Sequence, residues 1–368
     1  MKAAPLKATA VSTRPGTSAG AGDAKASIPL LGLFEKRIEG DDALLELARL
    51  RFQQAHLGAE IYAGTPEQFE TLLKFRPSPE LPVVLHLPRD FNLNDLRSQG
   101  RILDFATRFA GRIHGMVLHD HPDLVSRSDE YFRAAVEMEA LTEKVPGAPL
   151  LFIEYAAGLE PSAFAAFFES IRGLSRVSAC VDVGHVGIWQ ARQAFAARHP
   201  GQDVCALKTR PSNLPQIMPD VDEAVRSALP RVVGLIEALG ALGKRVHFHL
   251  HDGHPLSTFS PFGVSDHLSF LAEIPLNFEY QGHRSVPLLY GPTGLGQIVE
   301  RAVEKIGRTR VSFTLELHPT FERQHFDDVA PLFNHWSDKT NAEMMNHWLG
   351  VIARNQKLLR ELLSRTAP

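Results

Sequence analysis

Cysteine is scarce in this chain: Cys180 and Cys205 are the only two in 368 residues. That excludes a disulfide framework, and Cys180, inside a predicted strand, reads as a buried free thiol. No apolar run reaches the roughly 18 residues a transmembrane helix needs, so no membrane partner is expected. The first 27 residues contain no apolar core of a secretory signal and no acid before Asp23. Met1–Ser27 therefore reads as a disordered tail, with the cytoplasm as the expected location. An excess of charge of one sign is missing too. A net charge of −3 gives no general attraction to nucleic acid or an anionic membrane, and nucleic acid is not an expected partner. The turn after the first predicted strand, EKRIEGD, carries a single glycine, so a glycine-rich phosphate loop and the nucleotide fold it marks are unsupported.

What is present is a globular composition, 44% hydrophobic and 22% charged, with a repeating rhythm from Ile28 onward. Short apolar runs alternate with amphipathic segments. The predicted strands are Ile28–Phe34, Ala59–Gly64, Leu81–Pro88, Ile113–His121, Pro149–Gly158, Val177–Asp182, Arg245–His254 and Arg310–Pro319. Between them fall helical patterns at Asp41–Gln54, from Thr65–Pro66–Glu67, at Leu93–Ala110, Ser128–Glu143, Pro161–Ile171, Asp222–Leu242 and Gly296–Ile306, with a closing helix over Asn341–Leu363. Strands alternating with helices mean a parallel sheet covered by helices. Eight such units favour a closed (β/α)8 TIM barrel, a single domain over residues 28–368, above an open doubly wound sheet. Long loops are expected after strands six and seven, Trp189–Val221 and His251–Gly296. Loops of that length act as lids or as contacts with a second copy of the chain, which makes a homo-oligomer one reading.

Strand alternation then picks out a set of side chains. In VSACVD, Val177, Ala179 and Val181 face one way, and Ser178, Cys180 and Asp182 the other. The last residue on the inward face of each later strand is His86, His119, Glu154, Asp182, His249 and Glu316. In a parallel barrel these ends meet at one rim, where barrel active sites sit. An isolated Asp at a strand end is ordinarily a helix cap or an ion-pair partner. Three carboxylates crowded with three imidazoles, and little Lys or Arg to neutralise them, instead call for a divalent cation. The expected ligands are Glu154, Asp182, His249 and Glu316. The expected ion is one Mn2+ or Zn2+, with Mg2+ or Co2+ as alternatives.

Other residues have lesser claims. His185, three residues after Asp182, could be a ligand or a proton donor. His86, His119 and His251 are candidate substrate contacts, and Lys208 and Arg284 are candidates for holding a phosphate or carboxylate, as is Arg210. His247 shares the face of His249 one layer deeper. Asp252 is placed to orient its loop or a histidine. Asp266 and His267 lie in the second long loop.

The segments FIEYAAG, CVDVGH, HFHLHD and TLELH together resemble the xylose isomerase-like TIM-barrel superfamily, which joins sugar isomerases and epimerases with abasic-site endonucleases. The resemblance runs over Ile28–Leu363. It implies a cation held by Glu154, Asp182, His249 and Glu316, with Glu154 and Glu316 also moving protons and His185 meeting the substrate. LHLPRDFNL, VLHDH and EYAAG are similar to the endonuclease branch, which assembles three zinc ions. That branch also uses an Asp-x-His pair ahead of a Gly-x-Gly turn. Here Gly294–Leu295–Gly296 is present, but SVPLLYGPT before it holds no such pair. The expected function is a metal-dependent isomerase or epimerase of a small sugar, keto sugar or polyol, free or phosphorylated. The alternatives are a zinc phosphodiesterase cutting abasic DNA, an inosose-type dehydratase, and a non-catalytic barrel subunit.

Overall fold

The computed structural model describes residues 25–27, 42–74, 76, 78–209, 214–257, 279–280, 283–284, 288–316 and 342–365. In chain order the elements are β1 (Lys25–Ser27), α1 (Asp42–Gln54), β2 (Ala59–Tyr62), α2 (Pro66–Leu73), β3 (Val83–His86), α3 (Leu96–Arg108), β4 (Gly115–His119), α4 (Ser128–Glu143), β5 (Leu150–Glu154), α5 (Pro161–Ser170) and β6 (Val177–Asp182). There follow α6 (Val183–Arg198), α7 (Leu214–Arg226), α8 (Ala228–Gly240), β7 (Val246–Leu250), a two-residue hairpin β8 (Glu279–Tyr280) and β9 (His283–Arg284), α9 (Gly291–Ile306), β10 (Val311–Leu315) and α10 (Ala342–Arg365).

Eight strands form one sheet in the order β1-β10-β7-β6-β5-β4-β3-β2, and every neighbouring pair is parallel. In a flat sheet β2 and β7, five strand spacings apart, would lie about 24 Å from one another. Instead Glu60 on β2 touches His247 on β7 at 3.2 Å and accepts a hydrogen bond from Thr314 on β10. Only a sheet curled nearly into a closed barrel allows that. The molecule is a TIM-like α/β barrel with helices between its strands.

The alternation of side chains sorts the residues into two layers. Val83 and Leu85, Leu151 and Ile153, Ala179 and Val181, Phe248 and Leu250, Phe313 and Leu315 point outward and join the helices in one large apolar core. The alternate residues fill the barrel. Val84, Val117, Phe152 and Cys180 make a small apolar plug with Leu150, and titratable groups occupy the space above it. The helices begin where local chemistry stops the preceding chain. Thr65 and Asp95 accept from the backbone N–H groups of Gln68 and Ser98, capping α2 and α3. Among the described residues no helix is long and apolar enough to cross a membrane.

Four expectations change. The first strand is Lys25–Ser27, paired through Ser27 with Thr314, inside the stretch read as a tail; Ile28–Phe34 lies outside the described residues. The long loop expected after strand six is helical. Helix α6 starts directly at Val183, a 3-10 turn covers Val204–Thr209, and α7 begins at Leu214. Asp182 sets the start of α6: its carboxylate accepts the His185 N–H at 2.7 Å and caps the helix. Gly187 in this helix leaves room for Tyr290, whose hydroxyl donates to the Val183 carbonyl; a Cβ at Gly187 would fall 2.1 Å from that oxygen. Finally, the helix expected over Asp222–Leu242 is two helices parted at Ser227, and the segment after β7 contains the β8–β9 hairpin. Residues 258–278 of that segment, with Asp266 and His267, are outside the described residues.

Candidate functional site

Because the strands are parallel, their C-terminal ends share one rim of the barrel. Register fixes which side chains meet there. His119 lies beside Glu154 on the neighbouring strand, and Asp182 beside His249, which in turn adjoins Thr314. Glu316 follows β10, its N–H bonded to the Leu250 carbonyl at 3.1 Å. All these side chains are buried.

The four expected ligands converge. His249 Nδ1 lies 3.1 Å from Glu316 Oε2 and 3.5 Å from Glu154 Oε1. Asp182 joins Glu154 and His249 in one group whose donor atoms all lie within 4.8 Å of one another, and joins His251 and Glu316 in another. His251 Nε2 is 2.7 Å from Asp182 Oδ1. A second cluster adjoins the first through Glu154. His86 Nε2 and His119 Nε2 are 3.3 Å apart, and Glu154 Oε2 lies 3.3 Å from the former and 3.6 Å from the latter. The two oxygens of Glu154 thus address different imidazoles.

His185 also reaches the site. Its Nδ1 lies 3.2 Å from the Tyr155 carbonyl and 3.5 Å from Asp182 Oδ2. His251, placed by the sequence reading in a loop, is fully buried at the end of β7. His247 lies a layer deeper, 2.7 Å from Ser312 Oγ. Asp252 orients its loop, accepting from the N–H groups of Gly253, Tyr290 and Gly291. Lys208 falls in the 3-10 turn and Arg284 in the hairpin, but the side chains of both lie outside the described residues, as does all of Arg210.

Taking only the last inward residue of strands three to eight passes over three groups. Glu60 on β2 sits in the middle of the barrel, 2.7 Å from His86 Nδ1 and 3.0 Å from His249 Nε2. Tyr62, at the end of the same strand, stacks on His86 with centroids 3.9 Å apart. Asp120 accepts from the N–H groups of Ala156 and Ala157. Period-two alternation in AEIYAG does put Glu60 and Tyr62 on the inward face, so the signal for both was present.

Electrostatics follow from this crowding. Burial opposes charge on His249, yet neighbouring Cys180 and the carboxylates of Glu60, Glu316 and Glu154 outweigh it and hold the ring well above the usual imidazole range. Burial likewise opposes charge on His86, but Glu154 and Glu60 raise it to about 9. His119 goes the other way: burial dominates and lowers it to about 3. Glu154 is held well below the carboxylate range because the imidazoles crowded around it, chiefly the charged rings of His249 and His86, outweigh its burial. Burial lifts Asp120 to about 7 against the pull of the two backbone N–H groups.

A divalent cation fits this donor set. His249 Nδ1 and Glu154 Oε2 are buried and make no hydrogen bond, and carboxylate with imidazole is the ligand chemistry of Zn2+ and Mn2+.

No protein-family model matches the chain. No curated protein matches it either. Among solved structures it is similar to a GH10 endoxylanase from a sugarcane soil metagenome, at 15% identity and a TM-score of 0.39 over 81% of this chain and 86% of that one. It is also similar to the carboxyl transferase domain Y628A of Rhizobium etli pyruvate carboxylase with pyruvate, at 10% identity and a TM-score of 0.27 over 93% of this chain and 49% of that one. Likenesses this slight say nothing about chemistry; the barrel reading rests on strand order and on the contacts across the lumen.

Proposed function

We propose that this chain is a divalent-cation-dependent isomerase or epimerase of a small keto sugar or polyol, free or phosphorylated, of the xylose isomerase-like kind. The observation that carries the reading is the placement of two buried glutamates, Glu154 and Glu316, 3.5 and 3.1 Å from one imidazole nitrogen, His249 Nδ1. With Asp182 they form the donor set that would hold the cation. A cation held there would supply Lewis-acid polarisation of a substrate carbonyl, which acidifies the adjacent carbon. Glu154 reaches the pocket from β5 and Glu316 from the end of β10, so one carboxylate takes the proton and the other returns it. His185, anchored on the first turn of α6 through the Asp182 cap, presents its ring at the same rim and orients a substrate oxygen. His119, held neutral by burial, offers a hydrogen bond there without adding charge.

The test is exchange of substrate hydrogen with solvent. In D2O with Mn2+, small ketoses and ketose phosphates are incubated with the protein and read by mass and NMR. Deuterium is expected on the carbon next to the carbonyl, and its incorporation falls away in Glu154→Gln and Glu316→Gln. Turnover in which every substrate hydrogen stays in place sinks the mechanism. A second reading, a zinc phosphodiesterase acting on abasic DNA, draws support from the adjoining His86, His119 and Glu154 cluster. It requires more than one bound Zn2+ per chain and cleavage of an abasic oligonucleotide.

A further inference from the structure

We infer that Glu60 is a positioning residue for the cation site: one buried carboxylate fixes the orientation of His249 and His86, so that the ring nitrogens it does not hold face the pocket. The inference rests on the proposed function above and concerns how that site is kept in order. Glu60 Oε1 lies 2.7 Å from His86 Nδ1 and 3.0 Å from His249 Nε2. Its other oxygen lies 3.2 Å from His247 Nε2 and accepts from the Thr314 hydroxyl.

Two features make this a support and not merely another ion pair. The first is polarity of direction. Each imidazole offers one nitrogen to Glu60 and the opposite one to the rim: His249 Nδ1 to Glu316 and Glu154, His86 Nε2 to Glu154 and His119. An imidazole that binds a cation must give up its extra proton, and the neutral ring then has one N–H and one lone pair. Carboxylates flank both nitrogens of His249, but Glu316 and Glu154 on the Nδ1 side belong to the donor set that would hold the cation, whereas Glu60 stands outside it. With a cation on the Nδ1 side the N–H is left on Nε2, facing Glu60. The second is that Glu60 is itself immobilised. His247 is pinned from below by Ser312 Oγ at 2.7 Å and shares the Thr314 hydroxyl at 3.1 Å, so β7 and β10 clamp a carboxylate that arrives from β2. The His86 contact is a well-formed hydrogen bond. The His249 contact has the distance of one but is not aligned along the N–H direction, and this is the contact the experiment must read.

The probe is Zn2+ alone. Its apparent affinity is measured by competition with a chromophoric chelator, for wild type and Glu60→Gln, with circular dichroism confirming the fold of each. Removing an outer carboxylate that orients a metal-binding histidine weakens binding by about 10- to 100-fold, and that loss is expected here. Zn2+ binding by folded Glu60→Gln within about twofold of wild type overturns the inference while leaving the proposed function intact. Failure of wild type to bind Zn2+ overturns both. Should the variant not fold, the wild-type protein decides: in 15N-histidine-labelled, Zn2+-loaded protein, His249 should carry its proton on Nε2 and bind through Nδ1. Coordination through Nε2 defeats the inference with no variant needed.

Discussion

The outward and inward faces of the same strands are equally dry, yet they do opposite things. Ile153 and Glu154 are adjacent in sequence and 2% and 1% exposed; Phe248 and His249 are both at 0%. Exposure does not separate them, but their neighbours do. The outward residues meet Leu, Ile and Phe from the helices, and each large side chain buried there contributes about 1.5–3 kcal/mol. The inward residues meet one another's charges. Taking carboxylates and imidazoles out of water is costly, and pairing returns only part of that cost. The outer layer holds the barrel closed, and the inner layer draws on that stability to keep a reactive site out of water.

The largest effect expected from this division lies in the outer layer. Phe168 packs edge-on against Phe164 and Phe167, with centroids 5.0 and 5.2 Å away, and is fully buried. Phe168→Ala should lower unfolding free energy by about 3–5 kcal/mol in urea titrations. The variant that remains folded should bind the same number of Zn2+ ions as wild type. Loss of the ion without loss of stability would break the division between the two layers.

Next in size is Glu316→Gln in the inner layer. Its affinity for Zn2+ should drop by at least about 100-fold, roughly 2.7 kcal/mol, since a ligand itself is lost and not just its support. In chelator the same variant should also be less stable than wild type, because the buried His249 ring loses the carboxylate 3.1 Å from its Nδ1. A metal-free variant as stable as wild type would mean that Glu316 does not pair with a charged His249.

The same contrast decides which features are legible in the sequence alone. Period-two alternation found the inward ends of six strands because their outward neighbours are plainly apolar: Val83 and Leu85 against His86, Phe313 and Leu315 against Glu316. Helix α4 was bounded correctly at Ser128–Glu143 by its polar and apolar stripes. Helix α6 was not recognised, for a physical reason. Val183 to Ile188 are six consecutive buried residues, and a helical stretch enclosed on every side shows no 3.6-residue stripe. Its two glycines and the Val, Ile and Trp around them also favour other conformations. The ordinary reading of Asp182, a helix cap, and the functional one turn out to be compatible: Oδ1 accepts from the α6 backbone while the carboxylate lies among the donors at the rim. Glu60 lay in a recognised strand, but its role depends on partners 26 to 254 residues away, and only barrel closure brings those together.

Chelation sharpens the comparison further, with an effect set by mass action. A ligand that binds only the folded state at about 100 times its Kd adds about 2.7 kcal/mol. Wild type with saturating Zn2+ should therefore unfold at a higher temperature than wild type in chelator, and Glu316→Gln should show almost no difference between the two conditions. An equal shift in both would place the ion somewhere other than this rim.

The smallest effect is expected where the two layers meet. Tyr290 donates its hydroxyl to the Val183 carbonyl, in the first turn of the helix that Asp182 caps. The contact lies beside the site without supplying a donor to it. Tyr290→Phe removes one buried hydrogen bond and keeps the ring, which should cost about 1 kcal/mol of stability. Carbonyls in a first helical turn still accept from the N–H four residues on, so α6 should persist and keep Asp182 in place. Zn2+ affinity should then remain within about twofold of wild type. A tenfold loss in affinity with so modest a change in stability would mean that the start of α6 tunes the donor geometry, and that outer packing and inner chemistry are coupled through this one hydroxyl.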